Sequence, residues 1–162
     1  MKKIIKKSLC SILALAMMLA CVACGESKTD TKDKQVDVAG LAAELKSGIT
    51  YADTLEERDK DFAVNIFELG DNAALIVNQV TYFNTGASAE AVSVVECKDG
   101  TDAAKVKTAF EAYAKKQADV YRSYNPEEAD KLDKAVVKIV GGKYVAFCVS
   151  GDSNKASEIM EK

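Results

Sequence analysis

Residues 91–124, AVSVVECKDGTDAAKVKTAFEAYAKKQADVYRSY, decide the fold. Ala91–Cys97 is rich in valine, and β-branched side chains favour a pleated, half-buried surface. Its alternation is imperfect: Val92 and Val94 point one way, Val95 and Cys97 the other. Lys98-Asp99-Gly100-Thr101 ends the strand and supplies a helix cap. Beyond it, Ala103, Val106, Phe110, Tyr113, Gln117, Val120 and Tyr124 recur every three or four residues, and Lys105, Lys107, Glu111, Lys115, Lys116 and Asp119 fill the other positions. That stripe predicts a long amphipathic helix lying on something flat and apolar.

The flanks supply the flat surface. Upstream, Ala74–Phe83 is a second strand, joined to the first through Asn84-Thr85-Gly86, with the turn extending toward Ala89. Downstream, Asn125-Pro126-Glu127-Glu128 restarts a short helix that ends near Lys134, with Asn at the cap, Pro at the first position and acids in the first turn. Val136–Val140 and Lys143–Ser150 form a second hairpin across Gly141-Gly142, a pair that accepts positive φ. Tyr144–Val149 is apolar on both faces, which marks a strand covered on each side. Nearer the start, Asp37 precedes Val38, Leu41, Ala42 and Leu45, one helical face that Gly48 stops. Residues 49–60 are less regular: Ile49, Tyr51 and Leu55 pack while the charges of LEERDKD (55–61) stay in solvent. Asp61 caps a short helix through Phe62, Ile66 and Leu69, closed by Gly70. A terminal helix starts at Asp152 or Ser153 and carries Ala156, Ile159 and Met160 on one face. The expected fold is α+β: a four-stranded, mostly antiparallel sheet of two hairpins, with a long helix and shorter helices packed on it.

Residues 1–25, MKKIIKKSLCSILALAMMLACVACG, read as an address. Lys2, Lys3, Lys6 and Lys7 precede a run without charge from Ser8 to Gly25, the layout of a secretory signal. The ending Cys21-Val22-Ala23-Cys24-Gly25 resembles the lipobox of bacterial lipoprotein precursors. That resemblance implies a diacylglyceryl thioether on the cysteine and cleavage just before it. Cys24, between Ala23 and Gly25, is the expected lipid site, with Cys21 as the alternative. The chain then divides into a signal peptide over 1–23, a lipidated tether over 24–36 and one domain over 37–162. GESKTDTKDKQV (25–36) has almost nothing to pack, and a coil of that length reaches about 17–21 Å.

Composition narrows the function classes. All 25 Asp and Glu follow residue 23, but four of the 22 Lys and Arg precede it, so the processed chain of 139 residues carries a formal charge of −7. A polyanion is repelled, which excludes nucleic acid as a partner. Histidine and tryptophan are absent, which removes the commonest general base and zinc ligand. There is no nucleophile elbow, Cys/His pair or Walker loop. The run Glu56–Asp61 is partly neutralised by Arg58 and Lys60 and lacks the calcium-loop pattern, so no metal or other cofactor is expected. Cys97 and Cys148 are either free buried thiols or a disulfide. At the end of the long helix, Tyr121, Arg122 and Asn125 form a contact surface of the residue types favoured in recognition, with Tyr113 and Tyr124 assigned to the core stripe.

The runs VDVAGLAAELKSG (36–48), SAEAVSVVECKDGTDAAKV (88–106), SYNPEEADKLDKAVV (123–137) and KYVAFCVSGDSNKASEIMEK (143–162) give the chain its family likeness. In their order and spacing it resembles small lipoproteins of Gram-positive-type bacteria whose domain is catalogued as domain of unknown function four-three-five-eight. The resemblance implies a location and no activity, substrate or catalytic residue. The expected protein is a lipid-anchored, extracytoplasmic lipoprotein at the outer face of the cytoplasmic membrane, not an enzyme. It binds an envelope protein, peptide or glycan. The alternatives are a small envelope enzyme or thiol redox factor, and an accessory solute-binding lipoprotein.

Overall fold

The computed structural model describes residues 34–162. The chain divides into two units, Met1–Asp30 and Thr31–Lys162, and the described residues belong to the second. The signal peptide, Cys21, Cys24 and most of the tether lie outside the described residues.

Five strands form one antiparallel sheet: β1 (Leu55–Arg58), β2 (Ile76–Asn84), β3 (Ala91–Cys97), β4 (Val136–Val140) and β5 (Tyr144–Val149), in the order β1-β2-β3-β5-β4. Five α-helices accompany it: α1 (Val38–Gly48), α2 (Lys60–Ile66), α3 (Gly100–Tyr121), α4 (Pro126–Asp133) and α5 (Ser153–Met160). A 3₁₀ turn, Gly70–Leu75, leads into β2.

The two-sided apolar strands dictate three layers. In β3, Val92 and Val94 face α1 and α5, while Ala91, Val95 and Cys97 face α3. In β5, Tyr144, Ala146 and Cys148 take the first side and Val145, Phe147 and Val149 the second. On the α3 side Phe67 is the centre of an aromatic cluster. Its ring meets Phe110 at 5.2 Å, Tyr113 at 5.0 Å and Phe147 at 5.4 Å, each edge to face. Such pairs add to simple burial.

The sheet has five strands where four were expected. The missed strand, β1, is LEER, in which only Leu55 is buried. A four-residue, charged edge strand reads like solvated loop, and charge is how natural sheets blunt their edges. The second helix also ends earlier than Gly70 implies. Asp59, not Asp61, caps it, accepting the Phe62 N–H at 2.8 Å. It stops at Ile66, and Glu68 takes the left-handed conformation at φ 52°, which is normally a glycine's place. Gly141 and Gly142, at φ 55° and 83°, make the expected two-residue turn.

Cys97 and Cys148 are free and buried. The sheet register explains why: Cys148 stands opposite Val92, five residues from Cys97 along β3 and on the other face. At about 3.3 Å per residue that separation is far beyond disulfide reach. Burial, aided by Asp102, Asp99 and Glu96, pushes the Cys97 thiol up to about 11. Burial also raises Cys148. Both are protonated, enclosed thiols at neutral pH, unsuited to exchange chemistry.

Candidate functional site

One end of the sheet holds the most enclosed charges of the described domain. The segment Tyr51–Thr54 before β1 and the loop 85–90 between β2 and β3 meet there against α4. Glu90 is 1% exposed. Its Oε2 accepts the N–H groups of Ala52 at 2.7 Å and Asp53 at 3.2 Å, and its Oε1 accepts Lys131 Nζ at 2.9 Å. Lys131 reaches Glu128 Oε1 at 2.8 Å, and Glu128 Oε2 accepts the Ala89 N–H at 2.7 Å. Asp53 Oδ2 accepts the Ser88 N–H at 2.9 Å. Asn84 Nδ2 donates to the Glu90 carbonyl at 3.2 Å. Two glutamates and a lysine therefore clasp three chain segments, each carboxylate taking a backbone donor as well as the ammonium.

The electrostatics follow the geometry. The Ser88 N–H, then the Ser88 hydroxyl, hold the Asp53 carboxyl below its ordinary value, against a smaller effect of burial. Burial pulls Lys131 down, but Glu128 and Glu90 together outweigh it and leave its ammonium above the usual value. Beside the clasp, Tyr51 donates to the Leu45 carbonyl at 3.0 Å and lies 3.6 Å from Cys148 Sγ. Burial, then Cys148, raises its phenol. Gly86 must stay small, because a Cβ there would run into the Asp53 carboxylate.

The clasp underlies an exposed rim. Thr85, Gly86 and Ala87 are open to solvent. The Tyr121 hydroxyl donates to the carbonyls of Ala87 at 3.4 Å and Ser88 at 3.3 Å, tying α3 to the same loop. The Tyr124 ring lies 5.1 Å from that of Tyr121 and the residue is 65% exposed. Arg122 is held by Asp133 at 3.0 Å and Asp119 at 3.4 Å. Asn125 caps α4 through its carbonyl, which accepts from Glu128 and Ala129 at 3.2 Å each. Tyr121, Arg122 and Asn125 thus do sit together.

The assignment of the tyrosines changes. Tyr121 packs against the core and Tyr124 projects from it, the reverse of the expected arrangement. The last turns of α3 bury Ala114 and Ala118 in place of Gln117, Val120 and Tyr124. Burying Gln117 would demand partners for its amide, whereas alanines let the helix lie close. Glu90, Glu128 and Lys131 were not singled out from the sequence. The one available signal was a lone carboxylate among small and apolar residues in ASAEAVSVV (87–95).

Every charged group of the clasp is engaged by another or by backbone. Among the described residues no group of three or more Cys, Asp or Glu is placed to hold a metal ion, and no helix is long and apolar enough to cross a membrane.

Fold and site define a small three-layered α+β domain with a buried charged clasp at one end of its sheet. A family model described as "Domain of unknown function (DUF4358)" matches residues 51–150. The chain belongs to that family. The matched span contains all five strands and every residue of the clasp. Neither the curated proteins nor the solved structures give a match.

Proposed function

We propose that this protein is an extracytoplasmic lipoprotein, anchored by lipid at Cys24, whose domain is a non-enzymatic binding module. Its contact surface is the clasped rim: the 85–87 loop together with Arg122, Tyr124 and Asn125, backed by Tyr121. The observation that carries the reading is the buried Glu90–Lys131–Glu128 cluster beneath exposed loop residues. A buried ionic cluster is a poor source of net stability compared with apolar packing. What it supplies here is a fixed conformation for a loop that ends in solvent, and a preorganised surface loses less freedom on binding. The exposed tyrosine and arginine are residue types that dominate binding energy.

The location rests on the opening stretch. A positive start, an uncharged apolar run and a cysteine after small residues are followed by a polar tether and an acidic domain. Two acyl chains provide the double signal that stable anchoring takes. Metabolic labelling with a fatty acid tests this. Label is expected in the parent chain and in Cys21→Ala, and is expected to vanish in Cys24→Ala. Label that vanishes only in Cys21→Ala moves the anchor, and no label in any form removes it.

A further inference from the structure

A second interaction surface lies away from the rim. β1 pairs with β2 only over Thr81–Asn84. On the same side, Ile76–Val80 of β2 has no strand beside it among the described residues. The direction of its backbone groups follows from the ladder. Thr85 N–H, just past β2, donates to the Thr54 carbonyl, so the alternate residues Phe83 and Thr81 of β2 aim their N–H and C=O toward β1. Gln79 is the next in that series and aims its own past the end of β1. Lys60 Nζ donates to the Ile76 carbonyl at 3.4 Å, so that carbonyl faces outward but is already engaged, and the open main chain is that of Gln79. A bulge interrupts the register at Val77, which is 62% exposed.

The other edges are guarded in the usual ways. β1 is four residues long and carries Glu56, Glu57 and Arg58. β4 has Lys138 at its centre, tied to Ser157 of α5 and to Glu161 just past its end. Lys60 and the bulge guard only the Ile76–Val77 end of β2, and Asn78–Val80 carry no charge. Charge nearby selects what it accepts. Residues 56–71, spanning β1, α2 and the turn into β2, hold six carboxylates against Arg58 and Lys60, with Glu68 engaged by Lys116. A second copy would bring two such acidic borders together. A basic strand would meet complementary charge.

We infer that the Ile76–Val80 edge of β2 accepts an extended, lysine- or arginine-bearing peptide segment by strand addition. Main-chain bonds to Gln79 give the pairing, and the acidic border gives the preference for basic side chains. The surface is separate from the clasped rim and does not depend on it.

Hydrogen-exchange mass spectrometry of the full chain in detergent tests this, with an alternating lysine–valine hexapeptide and its glutamate–valine counterpart as probes. The lysine peptide is expected to slow exchange of the Gln79 amide at least tenfold, and the glutamate peptide to leave it unchanged. Gln79→Pro removes the outward donor without taking a bond from the β3 ladder, and is expected to abolish binding of the dye-labelled lysine peptide, read by fluorescence anisotropy because proline has no amide to follow. Val77→Lys, at an exposed position, is expected to weaken binding about tenfold, so the test survives if the proline variant fails to fold. Equal protection by both peptides overturns the proposal, as does protection confined to other segments. Slow exchange of the Gln79 amide without peptide also overturns it: if it rises with protein concentration the edge belongs to a second copy, and if it is lost on deleting residues 25–33 it belongs to the tether.

Discussion

Replacing Lys131 with methionine is expected to destabilise the domain by about 3 kcal/mol or more, the range for leaving a buried charge without its partner. Glu90 would keep its two backbone donors but lose its cation, and Glu128 would lose the same cation. The control is Lys116→Met. Its ion pair with Glu68, at 2.6 Å, is as short as those of the clasp but exposed, and its loss is expected to cost less than about 1 kcal/mol. Combining Lys131→Met with Glu90→Gln is expected to recover part of the loss, because the amide no longer needs a counter-charge. Urea unfolding of the parent, Lys131→Met, Glu90→Gln, Lys116→Met and the double variant measures these differences, and a strictly additive double variant would contradict the coupling. Alkaline pH gives a second readout. The Lys131 value is raised in the folded state, so its contribution is fully present below the ordinary lysine pKa of about 10.4 and is lost as pH rises through the raised value. Asp53 works in the opposite sense: its contribution is present above about pH 4 and is lost as pH falls through the lowered value. Lys131→Met should therefore flatten the alkaline limb of the stability profile more than the acid limb.

Phe67→Ala is expected to cost about 3–5 kcal/mol, the range for deleting a large buried aromatic side chain. Phe67 is almost fully enclosed and its ring meets those of Phe83, Phe110, Tyr113 and Phe147. No single neighbour can collapse into the space, because the surrounding rings are anchored on three separate elements, β2, α3 and β5. Against a total stability of about 5–15 kcal/mol, the loss leaves a marginal fold. Calorimetry should show a fall of at least about 10 °C in Tm. Phe62→Ala, at the edge of the same aromatic group, should cost clearly less; an equal loss would contradict Phe67 as the centre.

Much of this fold was legible because its strongest signals were local. Tyr144–Val149 is apolar at every position, which suits only a strand covered on both faces, and β5 is covered by α1 and α5 on one side and α3 on the other. Gly141-Gly142 named its own turn. β1 was hidden because a guarded edge strand is deliberately charged, so Glu56, Glu57 and Arg58 gave the pattern of a wet loop. The order of strands was not readable, since antiparallel hairpins joined by helices fit several arrangements. The clasp was hidden for a different reason. Glu90 and Glu128 lie 38 positions apart, and their shared lysine belongs to an α4 that reads as an ordinary polar helix. Nothing local distinguishes a carboxylate bound for the interior from one on the surface. The end of α3 misled because an unbroken three-four spacing through Gln117 to Tyr124 extended a stripe that the helix shifts onto Ala114 and Ala118.

The proposal that the clasped rim is the contact surface is tested most directly by photo-cross-linking in living cells. A photoreactive residue is placed at position 124 of the lipidated chain and, in a second form, at position 105 near the other end of α3, where the side chain is also exposed. The account expects a discrete adduct from position 124 and none from position 105. The adduct is also expected to weaken in the Lys131→Met background at a temperature where the domain stays folded, because the 85–87 loop then keeps its Asp53 and Tyr121 contacts but loses the ammonium that joins Glu90 to Glu128. Equal labelling from both positions, or an adduct from 124 that Lys131→Met leaves untouched, would contradict it.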